Sequence, residues 1–320
     1  MSDADRANAG VASPKTPLTC VVAVLTYLRP VDLAELLPAL VEQSAGAPAT
    51  VTILVVDNDP AGGARHQVAA LALDGVDYVH EPTPGIAAAR NTALLTATSA
   101  DVLVFIDDDE RPTKGWLYRL LTLYLAEHPA AVIGPVVSEF GGELDPWIKA
   151  GRFFDRRRLP TGTTVTVAAT NNLLLDMAVV RRLGLAFDLR FGISGGSDTL
   201  FTRQLANANA PMLWHDEAVV FDVVPPHRQT REWVLQRAFR SGNSWSGTAL
   251  ALETHPLRRF ALRARLTAEG ALRIAGGGAY LAVASLTRSL ARNAQGHRMM
   301  RRGLGMAAGA WGHRYFEYRR

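Results

Sequence analysis

The chain has 320 residues, 48% of them hydrophobic and 20% charged, enough to bury a core for one large or two modest domains and too apolar for a disordered protein. Its single cysteine, Cys20, excludes an internal disulfide and a multi-cysteine metal site and fits a reducing cytoplasm. The net charge of +4 hides an asymmetry: residues 256–320 hold 13 arginines against Glu269 and Glu317, while residues 1–255 hold 21 basic and 28 acidic residues.

Residues 1–17 place acids ahead of any apolar run, which reads as a disordered tail and not as a signal peptide or membrane span. LTCVVAVLT at 18–26 has the length and branched content of a buried strand, and YLRPVDLAELLPALVEQ turns from it into an amphipathic helix with Asp32 near its start. VTILVVD at 51–57 predicts a second strand ending in an acid, NDPAGG a loop, residues 64–73 a helix, and VDYVH at 76–80 a short third strand. EPTPGIAAARNTALLTA supplies a Pro/Gly loop and then an alanine-rich helix from near Ile86. A fourth buried strand, 102–106, runs directly into Asp107, Asp108 and Asp109. The alternation of strand and helix predicts a mostly parallel sheet with helices on its faces.

Further along, GWLYRLLTLYLAEHP reads as a helix and AVIGPVV as a strand, and residues 141–164 read as an irregular excursion over the site. TVTVAATNNLLLD alternates and then becomes apolar; DMAVVRRLGL and GGSDTLFTRQLANAN read as helices; APMLWHDEAVVFDVVP returns as strand. After Pro225 and Pro226 the chain turns helical through REWVLQRAFRSGNSWSGTAL and then arginine-rich.

In open α/β sheets the carboxyl ends of the strands face the ligand crevice, so the three aspartates stand where a substrate would bind. Contiguous carboxylates repel one another. A divalent cation between Asp107 and Asp109 relieves this, because hard oxygens suit Mg²⁺ or Mn²⁺ and the metal's open positions can carry phosphates. Without a metal, the same triplet would be a solvated acidic turn.

VVAVLTYLRP, VTILVVDND, GIAAARNTAL, VLVFIDDDE and GGSDTLFTRQL, in that order over about residues 18–245, resemble the inverting family 2 glycosyltransferases. The resemblance implies an α/β chain of GT-A fold, with a mixed, mostly parallel sheet flanked by helices. Residues 18–225 would form the transferase domain, 18–110 its nucleotide-binding half and 111–225 its acceptor half, followed by a basic helical region at 226–320. It further implies that Thr26, Tyr27 and Arg29 line the nucleotide pocket and that Asp57 accepts from the base, a group suited to read an N–H donor. Arg90, of the family's ArN motif with Asn91, would pair with the diphosphate. Asp107 and Asp108 would meet the ribose side of the donor, and Asp107 and Asp109 would hold Mn²⁺ or Mg²⁺, with Asp222 or His227 as a third ligand.

By the same resemblance Asp198 is the general base that deprotonates the acceptor hydroxyl. Ser197 stands where the family more often has an acid, and a helix-capping role for Ser197 or Asp198 is the plainer alternative. Asn171 and Asn172 match a position near the donor or acceptor sugar. Arg237 and Arg240 share a helical face in an imperfect likeness to the Gln-x-x-Arg-Trp motif of processive synthases, and no processivity is read from it.

The terminal region centres on IAGGGAYLAVASLT, 14 uncharged residues between Arg273 and Arg288, short of the roughly 20 needed to span a bilayer. It reads either as an interfacial helix pair drawn to an anionic membrane surface or as a helical hairpin packed on the catalytic domain. The expected activity is inverting, metal-assisted transfer of a sugar from a UDP- or dTDP-linked donor to a glycan or lipid-linked acceptor in cell-envelope glycan assembly, in the cytoplasm and peripheral on the inner face of the membrane. A nucleotidyltransferase is the alternative enzyme, but TYLRPVD lacks its glycine-rich basic phosphate loop. An inactive nucleotide-sugar-binding relative stays open through Ser197. The terminal arginines lie beside alanine and leucine rather than stacking aromatics, so no nucleic acid partner is expected.

Overall fold

The computed structural model describes residues 17–315, and the tail expected over 1–17 lies outside them apart from Pro17. The chain opens with β1 (Thr19–Thr26), α1 (Pro30–Ala45), β2 (Thr50–Asp57), α2 (Ala64–Leu71), β3 (Val76–His80), α3 (Ile86–Thr96) and β4 (Val102–Asp107). These follow the sequence expectation closely because the strands are apolar on both faces. Alternate residues supply two cores: Ala23, Leu25, Leu103 and Phe105 pack with Ala87, Ala89 and Ala93 of α3. Cys20, Val22, Val24, Val104 and Ile106 pack with Leu33, Leu36, Leu37 and Leu40 of α1. Burial pushes the Cys20 thiol up to about 12, which leaves it an inert core residue.

The remaining elements are β5 (Glu110–Pro112), α4 (Trp116–Glu127), β6 (Ala131–Ile133), β7 (Val136–Phe140), α5 (Pro146–Ala150), β8 (Asn172–Asp176), α6 (Met177–Leu183), α7 (Ser197–Asn207), β9 (Met212–Trp214), β10 (Val220–Val224), α8 (Arg231–Leu252), α9 (Pro256–Thr287) and α10 (Leu290–Ala310). The main sheet has the order β3-β2-β1-β4-β8-β6-β9. Its pairs are parallel except where β8 runs antiparallel to β4 and β6.

A second sheet, β5-β10-β7, lies outside the sequence reading. AVIGPVV, read as one strand, is split at Gly134 and Pro135: β6 stays in the main sheet and β7 enters the second. A side chain at Gly134 would strike the Ala218 carbonyl and the Asn172 amide, so the chain crosses between sheets at a residue that has no room for one. APMLWHDEAVVFDVVP is split likewise into β9 and β10. Only Asn172–Asp176 of TVTVAATNNLLLD is strand, with Thr164 making a single bridge to Leu213.

The excursion at 141–164 contains α5, and Trp147, Phe153 and Phe154 join Val234 and Ala294 in a separate apolar cluster. α9 and α10 form an antiparallel hairpin held at glycine crossings. An added Cβ would come within 2.7 Å of the Gly303 carbonyl oxygen at Gly270 and within 2.7 Å of the Gly296 carbonyl oxygen at Gly277. On its other side α10 packs against α8, with Gly309 meeting the Asn243 backbone, and Trp147 Nε1 donates to Asn293 Oδ1 at 2.7 Å. No helix among the described residues is long and apolar enough to cross a membrane.

Candidate active site

Strand register assembles the site. Parallel pairing sets Thr26 opposite Asp57 and Leu25 opposite Asp107, so the chain leaves three adjacent strands at one edge of the sheet. A cavity of about 380 Å³ opens there. Asp107, Asp108, Asp109 and Glu110 form its floor, and β10 brings Asp222 to it in antiparallel register with Glu110.

Three of the aspartates, Asp108, Asp109 and Asp222, are already engaged. Thr26 Oγ1 donates to Asp108 Oδ2 at 2.9 Å and Arg29 Nη1 to Asp108 Oδ1 at 3.0 Å. Asp109 sits between Arg29 at 2.5 Å and Arg228 at 3.3 Å, and Asp222 pairs with Arg156. Even so, the floor is electrostatically strained. Burial, then repulsion from Asp109, pushes Asp107 up to about 7 against the pull of Arg90. Burial likewise raises Asp108 to about 6 against Arg29. Glu110, buried and accepting from Asn171 Nδ2 at 2.7 Å, is held well above the ordinary carboxylate range by burial and by Asp107.

Arg90 is buried under the cavity, and its Nη1 donates to Ser197 Oγ at 2.8 Å. This gives the serine a physical role: an acid at that position would pair with Arg90 and consume its charge, whereas a hydroxyl positions the guanidinium and leaves the charge for a ligand. Asn91 latches a loop instead, exchanging hydrogen bonds with the Phe187 backbone.

Asp198 lies in the first turn of α7 and lines the cavity. The cap residue is Gly196 and no side chain caps the helix. One Asp198 oxygen accepts from Thr199 N at 2.6 Å, and the other makes no hydrogen bond among the described residues. Gly196 has φ of +101°, and a Cβ there would meet Ser244 and Thr248 of α8 at 3.2 Å, so only glycine allows α7 to begin this close to α8.

The structure separates the other sequence-derived residues. Tyr27 stands at the cavity's exposed mouth. Asp57 does not line the cavity: its carboxylate accepts from Asp59 N, Ala64 N and the Tyr78 hydroxyl, at 3.0, 2.9 and 2.9 Å, and so fixes the loop leading into α2. Asn58 occupies the wall in its place. His227 is exposed and outside the cavity, while its neighbour Arg228 lines it. Asn171 reaches the site, but Asn172 is a core pin that accepts from Trp116 Nε1 and donates to the Pro135 and Ala218 carbonyls.

Sequence reasoning missed Glu110, Arg156 and Arg228. The DDDE run held a signal for Glu110, whereas nothing local marks the two arginines. With Arg237 and Arg240 they form a basic wall backed by Phe154 and Trp233, whose rings stack at 6.0 Å. Arg237 has no hydrogen bond or ion pair among the described residues, and burial together with Arg156 and Arg240 lowers it to about 9. Thr170 Oγ1 and Arg156 Nε, both on cavity-lining residues, are buried without partners. Such groups call for a polar, anionic ligand.

The floor also fits a hard divalent cation, since its donors are crowded carboxylate oxygens. No group of three or more His, Cys, Asp or Glu is assembled to hold one among the described residues.

The model of the family described as Glycosyl transferase family 2 matches residues 21–184. The chain is 35% identical over 249 residues to the succinoglycan biosynthesis protein ExoM of Rhizobium meliloti strain 1021, covering 77% of this chain and 80% of that protein. It is 28% identical over 246 residues to the pre-mycofactocin glycosyltransferase of Mycobacterium tuberculosis, covering 74% of this chain and spanning half of that protein. Among solved structures it is similar to the mannosyltransferase PcManGT from Pyrobaculum calidifontis in complex with GDP-Man and Mn²⁺. That match has a TM-score of 0.59 and 18% identity, covering 93% of this chain and 88% of the other. It is also similar to GalNAc-T7 with UDP, GalNAc and Mn²⁺, with a TM-score of 0.51 and 13% identity over 75% of this chain and 52% of that one. At these identities the structural likeness speaks for the fold, which is GT-A.

Proposed function

This chain belongs to glycosyl transferase family 2, and from that premise we propose that it moves a sugar from a UDP- or dTDP-linked donor to a glycan or lipid-linked acceptor, with inversion and with the help of Mn²⁺ or Mg²⁺, in cell-envelope glycan assembly. That it is a glycosyltransferase follows from the family and its named relatives, which sets the nucleotidyltransferase alternative aside. The finer reading draws support from the polysaccharide named for the ExoM relative, from the UDP named for one structural neighbour and from the Mn²⁺ named for both, while the GDP-Man named for the other keeps GDP-linked donors in the test. The observation that carries it is one cavity holding the aspartate floor, the arginine wall and Asp198.

Thr26, Tyr27, Arg29 and Asp108 bind and orient the nucleoside, with Asp57 acting at one remove by fixing the adjoining loop. Arg90, held by Ser197, addresses the diphosphate. Asp107 and Asp109, with Asp222 beside them, would hold the cation, which when bound stabilises negative charge gathering on the departing phosphates. Asp198 takes the proton from the acceptor hydroxyl through its uncommitted oxygen. The acceptor oxygen then bonds to the anomeric carbon from the face opposite the leaving group, and the electron pair of the breaking C–O bond leaves with the nucleoside diphosphate.

The test is donor turnover. The protein is incubated with UDP-, dTDP- and GDP-linked sugars and Mn²⁺, nucleoside diphosphate release is followed, and NMR reads the anomeric configuration of the sugar first captured by acceptor or water. Release from one nucleotide series, with configuration opposite to the donor and loss of turnover on chelation, is expected. Retention of configuration, or no release from any donor, would contradict the reading.

A further inference from the structure

We propose that the outward face of α9 is the surface by which this protein lies on an anionic lipid bilayer. α9 is 32 residues long and buries a single line, Leu266, Gly270, Gly277 and Ala284, against α10. On the opposite side Leu257, Ala264, Ala268, Leu272, Ala279 and Leu286, spaced by four or seven residues, fall in one exposed stripe. Leu257, Leu272 and Leu286 are 77%, 73% and 85% exposed. The stripe is roughly 44 Å long at 1.5 Å per residue, far more continuous than the scattered apolar residues of an ordinary surface.

Charge selects the occupant. Residues 256–315 hold 11 arginines and one acid, Glu269, and Glu269 is bonded to Arg265. Arg258 and Arg265 flank the stripe, with Arg288 and Arg292 at its far end. Exposed Phe260, Tyr280 and Trp311 are amphipathic or aromatic groups of the kind found at a bilayer boundary. An anionic surface meets both the apolar stripe and the arginines. A second copy packed symmetrically on the stripe would bring arginine against arginine. α10 is excluded from this contact because it is clamped between α8 and α9. With no helix among the described residues long and apolar enough to cross, α9 lies in the interface plane.

This surface is independent of the donor site, so it is tested separately. The full chain is co-sedimented with vesicles of phosphatidylcholine containing phosphatidylglycerol and with phosphatidylcholine alone, beside a Leu272→Glu, Leu286→Glu double variant. Both changes are on exposed side chains; circular dichroism and unchanged nucleotide affinity confirm that the variant is folded. The wild type binds the anionic vesicles, and binding falls about tenfold or more in the variant and with added salt. Equal partitioning of the two proteins, or no vesicle binding by the wild type, would overturn the proposal. So would a wild-type dimer in sedimentation velocity that the double variant dissolves, since a second copy would then cover the stripe.

Discussion

Asp107, Asp108 and Asp109 enter the cavity from the end of one strand, whereas the arginines opposite them come from distant parts of the chain: Arg29 after β1, Arg90 in α3, Arg156 in the excursion, Arg228 after β10 and Arg237 in α8. The floor is set by strand register, so its charges cannot separate, and burial raises Asp107 and Asp108. The wall is set by tertiary packing and partly neutralises the floor through Arg29, Arg156 and Arg228. A nucleoside diphosphate with a divalent cation carries both signs. It can give the aspartates a cation and the arginines an anion at once, exchanging one balanced set of partners for another.

The sharpest way to break this comparison is to leave both surfaces intact and remove the group between them. Asp198→Asn is expected to lower kcat by about 10²–10⁴, the range for loss of a general base, with nucleotide affinity unchanged; initial rates beside calorimetry check both. Next comes the arginine buried under the cavity. Arg90→Ala removes a charge-assisted donor and is expected to cost about 2–3 kcal/mol of nucleotide affinity. Arg90→Lys should recover only part of it, because an ammonium cannot reproduce the planar fork. The smallest effect belongs to a pair of the same chemistry outside the cavity. Arg158 and Asp216 bond at 2.7 Å with side chains 48% and 34% exposed. Asp216→Asn should shift unfolding stability by no more than about 0.5 kcal/mol and leave nucleotide binding untouched, as denaturant unfolding and titration would show.

The two surfaces also differ in how far the sequence discloses them. Buried strands ending in acids are local patterns, so the strand that carries the floor, and the alternation that makes its sheet parallel, can be read from residues 18–107. The second sheet could not be read. β5 is three residues long, and the switches at Gly134 and between Trp214 and Val220 leave hydrophobic periodicity unchanged while moving the chain to another sheet. Asp57 and Asn172 show the opposite limit. Each stands at the position the resemblance points to, yet Asp57 is consumed by Ala64 N and Tyr78 and Asn172 by Trp116, partners that no spacing rule reveals. Arg156 and Arg228 carried no signal, since a surface arginine and one turned into a cavity look alike in a chain rich in both. Ser197 looked like a loss until Arg90 supplied its partner.

The measurement that tests the account most directly is calorimetric titration of UDP, dTDP and GDP, with and without Mn²⁺, into the wild type, Asp109→Asn and Asp198→Asn. The account predicts that one nucleotide binds the wild type and Asp198→Asn equally well in a Mn²⁺-dependent manner, and binds Asp109→Asn about a hundredfold more weakly, the scale of losing one charged contact to a metal–phosphate complex. Equal affinity of all three proteins, with or without the metal, would contradict it.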